Sequence, residues 1–177
     1  MTLFLRGALD DLRVLFVDER FGLPKNSLRL RTFEFGRRLV KNGHSVTVIC
    51  GNASTRLDLK EEPHRTIQIE GMDVVAVDSE KMSLQLFARH ACRVAFKDIK
   101  SRPDVVVAVT APLNNAYAGM KISRKFKTPL VLDVRELNEA PLTLAPGEKQ
   151  TRNNPKTGKN PQNKLSYRLL KKFSYRQ

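Results

Sequence analysis

The stretch that most constrains this chain is LRVLFVDERFGLPKNSLRLRTFEFGRRLVKNGHSVTVICGN, residues 12–52. Arg13 to Val17 is a short apolar run rich in branched side chains, which predicts a buried strand. Asp18 to Pro24 is a loop with Gly22 and Pro24 as breakers. Asn26 or Ser27 is suited to cap a following helix, along which Phe33, Leu39 and Val40 recur on one side while Arg37, Arg38 and Lys41 face out. Asn42-Gly43 ends that helix, because glycine accepts the left-handed backbone of a C-terminal cap. Ser45 to Cys50 is a second β-branched strand. Strand, helix, tight turn and strand make a βαβ unit, so the two strands are expected to be parallel.

The rest of the chain continues the alternation. Thr66–Glu70 and Asp73–Val77 are alternating runs around Gly71, read as a hairpin or an irregular edge strand. Gly51 to Pro63 before them is polar and reads as a surface loop. Ser83 to Lys100 is a helix with Leu84, Phe87, Ala91, Val94 and Ala95 on the side that packs. Asp104 to Thr110 is the most strand-like run in the sequence and reads as a central strand. Asn114 or Asn115 caps a helix to about Phe126, and Leu130 to Asp133 is a further buried strand. The pattern predicts a doubly wound, mostly parallel α/β sheet of Rossmann-like type.

Three segments carry a resemblance. Arg31 and Glu34 stand twelve and nine residues before Gly43, which leads into His44 and the strand Val46-Thr47-Val48. Thr110-Ala111-Pro112-Leu113 follows a strand, and Leu132-Asp133-Val134-Arg135-Glu136-Leu137 follows the next. In this order and spacing they resemble the amino-terminal half of the GT-B glycosyltransferases of family 4. That family pairs this half with a carboxy-terminal domain that holds the nucleotide sugar, and no such half is expected in residues 1–177. The resemblance covers the Rossmann-like domain over 12–139; by composition 1–11 reads as a flexible leader, 140–163 as a basic disordered loop and 164–177 as a basic helix.

The resemblance also implies roles. Asp133 and Glu136 would be the catalytic carboxylates. Gly22, Asn26, Ser27, Arg31, Thr110 and Arg135 would bind an acceptor, which is lipid-linked or a polysaccharide. The donor is a nucleotide sugar, the chain itself carries no cofactor, and a separate carboxy-terminal donor-binding half is the implied partner. Many family members have paired glycines in the first loop, where this chain has Gly22 and Pro24. Glu34 and His44 match the pattern but are read as structural. If the strand order is 3-2-1-4-5, it reverses between the strands ending at Val17 and Thr110, and ligands of open α/β sheets bind at that reversal.

Charge adds a second line. The net charge is +14, and residues 141–177, with nine Lys plus Arg against Glu148, account for +8 of it. Such a balance favours polyanions. In the helix over 83–100, Arg89, Arg93, Lys97 and Lys100 form a basic stripe that includes Leu86 and Phe96, the composition of a helix that docks on an anionic membrane surface. The rival reading is a non-enzymatic basic α/β module that binds nucleic acid or another anionic surface. Aromatic residues are only 7% of the chain and no recognition motif is visible, which disfavours nucleic acid. Cys50 and Cys92 lack metal or redox spacing, and the start of the chain has no signal-like apolar run, so the reading is cytoplasmic, peripheral on the inner face of the cell membrane. No metal-ligand cluster, Walker motif or G-x-G-x-x-G is present, which disfavours metal, ATP and nicotinamide enzymes.

Overall fold

The computed structural model describes residues 11–25, 30–59, 62–79, 84–110 and 112–135. The expected loop over 140–163 and helix over 164–177 lie outside the described residues, as do Asn26, Ser27, Glu136 and nearly all of the leader. The strands are β1 (Arg13–Val17), β2 (Ser45–Gly51), β3 (His64–Ile69), β4 (Met72–Val77), β5 (Val105–Val109) and β6 (Leu130–Asp133). The helices are α1 (Arg31–Lys41), α2 (Asn52–Thr55), α3 (Leu84–Lys97) and α4 (Leu113–Phe126).

One sheet runs β3-β4-β2-β1-β5-β6. Only β3 is antiparallel, joined to β4 by a hairpin through Glu70 and Gly71. The other five are parallel and follow the expected 3-2-1-4-5 pattern. This is a Rossmann-like α/β fold with β1 and β5 at the reversal of strand order.

Alternation along the strands splits the core in two. Leu15, Val17, Ile49, Val75, Val77, Val106 and Ala108 face α3 and α4, and bury Phe87, Ala91, Val94, Ala95, Ala118 and Ile122. Val14, Phe16, Val46, Val48, Met72, Val74 and Ala76 face the other way, with Phe21 and Phe33. Each large side chain so buried contributes about 1.5–3 kcal/mol. Helix α1 lies over β2 and β4, where a Cβ on Gly36 would meet Met72 and Val46. A different glycine, Gly51, is demanded by close approach: a Cβ there would meet Ser79 Oγ and stand 2.9 Å from the Glu19 carbonyl.

Four expectations are corrected. The polar stretch after β2 begins with the short helix α2, because Asn52 Oδ1 accepts from the Ser79 amide (2.9 Å) and holds it against the end of β4. The helix expected over 83–100 ends at Lys97, leaving Lys100 in the loop beyond it. The caps differ from those expected: Leu30, not Asn26 or Ser27, precedes α1, and Pro112, not Asn114 or Asn115, precedes α4, neither with a side-chain cap bond. Finally, β6 is an edge strand among the described residues, not a buried one, and Val131 is 50% exposed.

Candidate functional site

The reversal of strand order brings three loops to one edge of the sheet. Asp18 follows β1 and points to the α1 face, as the parity of Val14 and Phe16 requires. It is 1% exposed. Thr32, in the first turn of α1, donates its hydroxyl to Asp18 Oδ2 at 2.6 Å. Arg135, two residues past β6, donates from Nη2 to Thr32 Oγ1 (2.6 Å) and stands 3.5 Å from Asp18 Oδ2. The same guanidinium donates from Nε to Asp133 Oδ2 at 2.9 Å. Arg31 donates to the other oxygen, Asp133 Oδ1, at 3.2 Å. Two carboxylates and two arginines thus form a closed polar knot around one threonine. The positive end of the α1 dipole lies against it.

On the other side of the reversal, the Thr110 amide donates to the Asp133 carbonyl at 3.0 Å and ties β5 to β6. The Glu19 amide donates to Asn115 Oδ1 at 3.4 Å and ties the loop after β1 to the start of α4. Gly22 is buried in that first loop, next to Phe21, whose ring packs on Phe33 at 6.4 Å. Of the residues expected to bind an acceptor, Arg31, Thr110 and Arg135 therefore stand at one edge with Asp133, and Gly22 sits in the adjoining loop. Asn26, Ser27 and Glu136 lie outside the described residues.

Burial raises the Asp18 carboxyl above its ordinary value, and the Thr32 hydroxyl and the Arg135 charge oppose that shift. Its Oδ1 has no hydrogen-bond partner, and neither has Nδ2 of Asn115, which is 0% exposed. Leaving such a group unsatisfied costs about 1–3 kcal/mol. Asp133 has both oxygens engaged by arginines, which suits it to orienting rather than to proton transfer. From the sequence Asp18 was only the start of a loop and Asn115 only a candidate helix cap, and Thr32 carried no signal of its own. The signal for Asp18 was there: a charged residue directly after a buried strand, at the reversal.

Comparison with protein-family models and with curated proteins found no match. Among solved structures, the chain is similar to the C-terminal domain of a hydrogenase from Pyrococcus furiosus. The identity is 14%, the match covers 70% of this chain and 91% of that one, and the TM-score is 0.46.

The remaining candidates sit apart from the knot. His44 Nδ1 accepts from the Leu12 amide at 3.3 Å, a local structural bond. Glu34 is held by Arg37, whose guanidinium donates to it at 2.6 Å and lowers its pKa. Leu86, Arg89, Arg93, Phe96 and Lys97 are all exposed on α3, Phe96 to 42%, and Lys100 is exposed just after it. Phe96 lies edge-on to Phe126 of α4 at 6.2 Å. Among the described residues, no helix is long and apolar enough to cross a membrane, and no group of three His, Cys, Asp or Glu could hold a metal.

Proposed function

We propose that this chain is the acceptor-binding part of a family 4-like glycosyltransferase of GT-B type, in which a sugar passes from a nucleotide donor to a lipid-linked or polysaccharide acceptor. The observation that carries the reading is the polar knot at the strand-order reversal. It gathers Asp18 after β1, Arg31 and Thr32 at the start of α1, and Asp133 with Arg135 at the end of β6, and Asp18 Oδ1 in it and Nδ2 of the neighbouring Asn115 are unpartnered. Asp18 and Asn115 offer an acceptor and a donor for a hydroxyl, and Asp133 with Arg135 fixes its orientation. The exposed stripe on α3 brings the domain to an anionic membrane face, with Leu86 and Phe96 entering the interface and Arg89, Arg93, Lys97 and Lys100 pairing with lipid headgroups. In this reading donor binding falls to a carboxy-terminal half.

Amide-resolved NMR titration of the purified chain tests this. A sugar-bearing polyprenyl phosphate or an oligosaccharide is expected to shift the amides of Asp18, Thr32, Thr110 and Arg135, while a nucleotide sugar leaves them in place. If neither acceptor moves them, the reading fails. If a short oligonucleotide moves them at physiological salt, the nucleic-acid module takes its place.

A further inference from the structure

Helices α3 and α4 each run to 14 residues, and neither contains an Asp or a Glu. Both pack on the same face of the sheet, α3 through Phe87, Ala91, Val94 and Ala95 and α4 through Ala118 and Ile122. Helical periodicity then fixes what points away. On α3 it is Leu86, Arg89, Arg93, Phe96 and Lys97. On α4 it is Tyr117, Lys121, Arg124 and Lys125, and all of these are exposed. Six cations and three of the large exposed apolar side chains thus share one outward surface.

The two helices touch side by side. Phe96 lies edge-on to Phe126 at 6.2 Å, and Cys92 Sγ stands 3.9 Å from the Ala118 carbonyl. Packed helices have axes about 8–10 Å apart, so the surface is a broad plane rather than a single ridge. The Lys121 ammonium stands over the Tyr117 ring, 5.5 Å from its centre, which couples the exposed aromatic group of α4 to a cation. Leu86 and Phe96 lie near the two ends of α3, about 15 Å apart along its axis.

The composition of this surface selects its partner. An unopposed cationic surface attracts a polyanion, and with a net charge of +14 the chain offers it little counter-charge of its own. Leu86 and Phe96, set among the cations, add something a phosphate backbone does not use and a bilayer does. They can enter the acyl boundary while the Lys and Arg heads stay with the lipid headgroups. Tyrosine is a residue that settles at that boundary, and Tyr117 is placed for it. A single helix would leave the body free to roll about the helix axis, and a second one beside it removes that freedom.

On the footing of the membrane attachment of α3 proposed above, we infer that α3 and α4 form one docking surface for an anionic phospholipid bilayer. Helix α4 is the second point of contact, both helices lie in the plane of the interface, and the sheet lies flat above it.

The chain has no tryptophan, so single-tryptophan variants at exposed positions report contact with lipid directly. With vesicles of phosphatidylglycerol carrying brominated acyl chains, Phe96→Trp and Tyr117→Trp are expected to emit further to the blue and to be quenched. Phe35→Trp, exposed on the opposite face, is expected to do neither. Neutralising α4 with Lys121→Gln, Arg124→Gln and Lys125→Gln is expected to weaken binding to these vesicles roughly a hundredfold, at about fivefold for each cation. Quenching of Phe96→Trp alone, or undiminished binding by the neutralised α4 variant, overturns the two-helix surface and leaves attachment by α3 standing. Quenching of Phe35→Trp overturns the orientation. A chain that binds no anionic vesicle overturns both, and one that takes up a DNA duplex at physiological salt in their place assigns the surface to nucleic acid.

Discussion

At the scale of single residues, Arg135 carries the most. Among the described residues its guanidinium is the one cation within 4 Å of the buried Asp18 carboxylate, and it orients Thr32 as well. Breaking a buried pair from one side leaves its partner uncompensated, so Arg135→Ala is expected to cost about 3 kcal/mol in urea unfolding at pH 8. The cost shrinks as pH falls and Asp18 takes up its proton. A carboxyl whose folded pKa is raised binds its proton more tightly when folded, so its contribution to stability is present at low pH and is lost as pH rises through that folded pKa. Asp104 behaves in the opposite sense. Arg13 donates to it from Nη2 at 2.9 Å and from its backbone amide, and lowers its pKa from 3.8 to about 2. Stability from this pair is present above the ordinary aspartate value and lost as pH falls toward 2, and acid titration of Asp104→Asn is expected to show a flatter curve there. The sequence displayed Arg135 and Asp133 as a charged pair after a strand. It could not display Thr32 linking Arg135 to Asp18, because the contact of Arg135 with Thr32 spans 103 positions and depends on how α1 is set over the sheet.

At the scale of elements, periodicity located the three long helices among the described residues and four of the five parallel strands, with β4 expected only as half of a hairpin or an irregular edge strand, since apolar spacing and burial are the same physics seen twice. What escaped were elements fixed by tertiary contacts. Helix α2 has no apolar period and exists because Asn52 and Ser79 lock the ends of β2 and β4 together. The junction is tight at Gly51, and Gly51→Ala is expected to lower stability by about 1–3 kcal/mol in thermal melts, since the Glu19 carbonyl is backbone and cannot move aside cheaply. The edge position of β6 was hidden for a similar reason. A run of Leu-Val-Leu reads as buried whether or not a neighbour is present. On α3 the sequence and the structure agree about which side is wet. Flotation with anionic phosphatidylglycerol vesicles is expected to recover the chain, with neutral phosphatidylcholine vesicles failing to do so. Arg89→Glu with Arg93→Glu is expected to abolish recovery, by about 1 kcal/mol for each cation removed and more for reversal.

At the scale of the whole molecule, the described residues form a half-finished sandwich. One face of the sheet is closed by α3 and α4 across most of its width, and the other only where α1 sits over β2 and β4. One hollow lies on that second face with Asp133 of the knot in its lining, and another at the edge where the strands begin, around Arg13, Thr47 and Asp98. Asp18 itself is buried beneath Thr32 and Arg135, so a ligand that reaches it must displace or extend the polar knot. The topology was legible because β-branched runs, breakers and helix periods recur in order. The filling of the crevice was not, because it turns on which carboxylate each arginine reaches.

The bond from Arg135 to Thr32 also fixes a sequence of events. It closes a loop of 103 residues, and nothing local can hold those two side chains together beforehand. Only after β6 has docked on β5 does Arg135 come within reach of α1. The knot should then be unformed in the rate-limiting transition state, and Arg135→Ala should speed unfolding while leaving the refolding rate nearly unchanged in stopped-flow experiments. The same side chain that steadies the sheet's edge would serve as a clasp fastened last, and the first to let go.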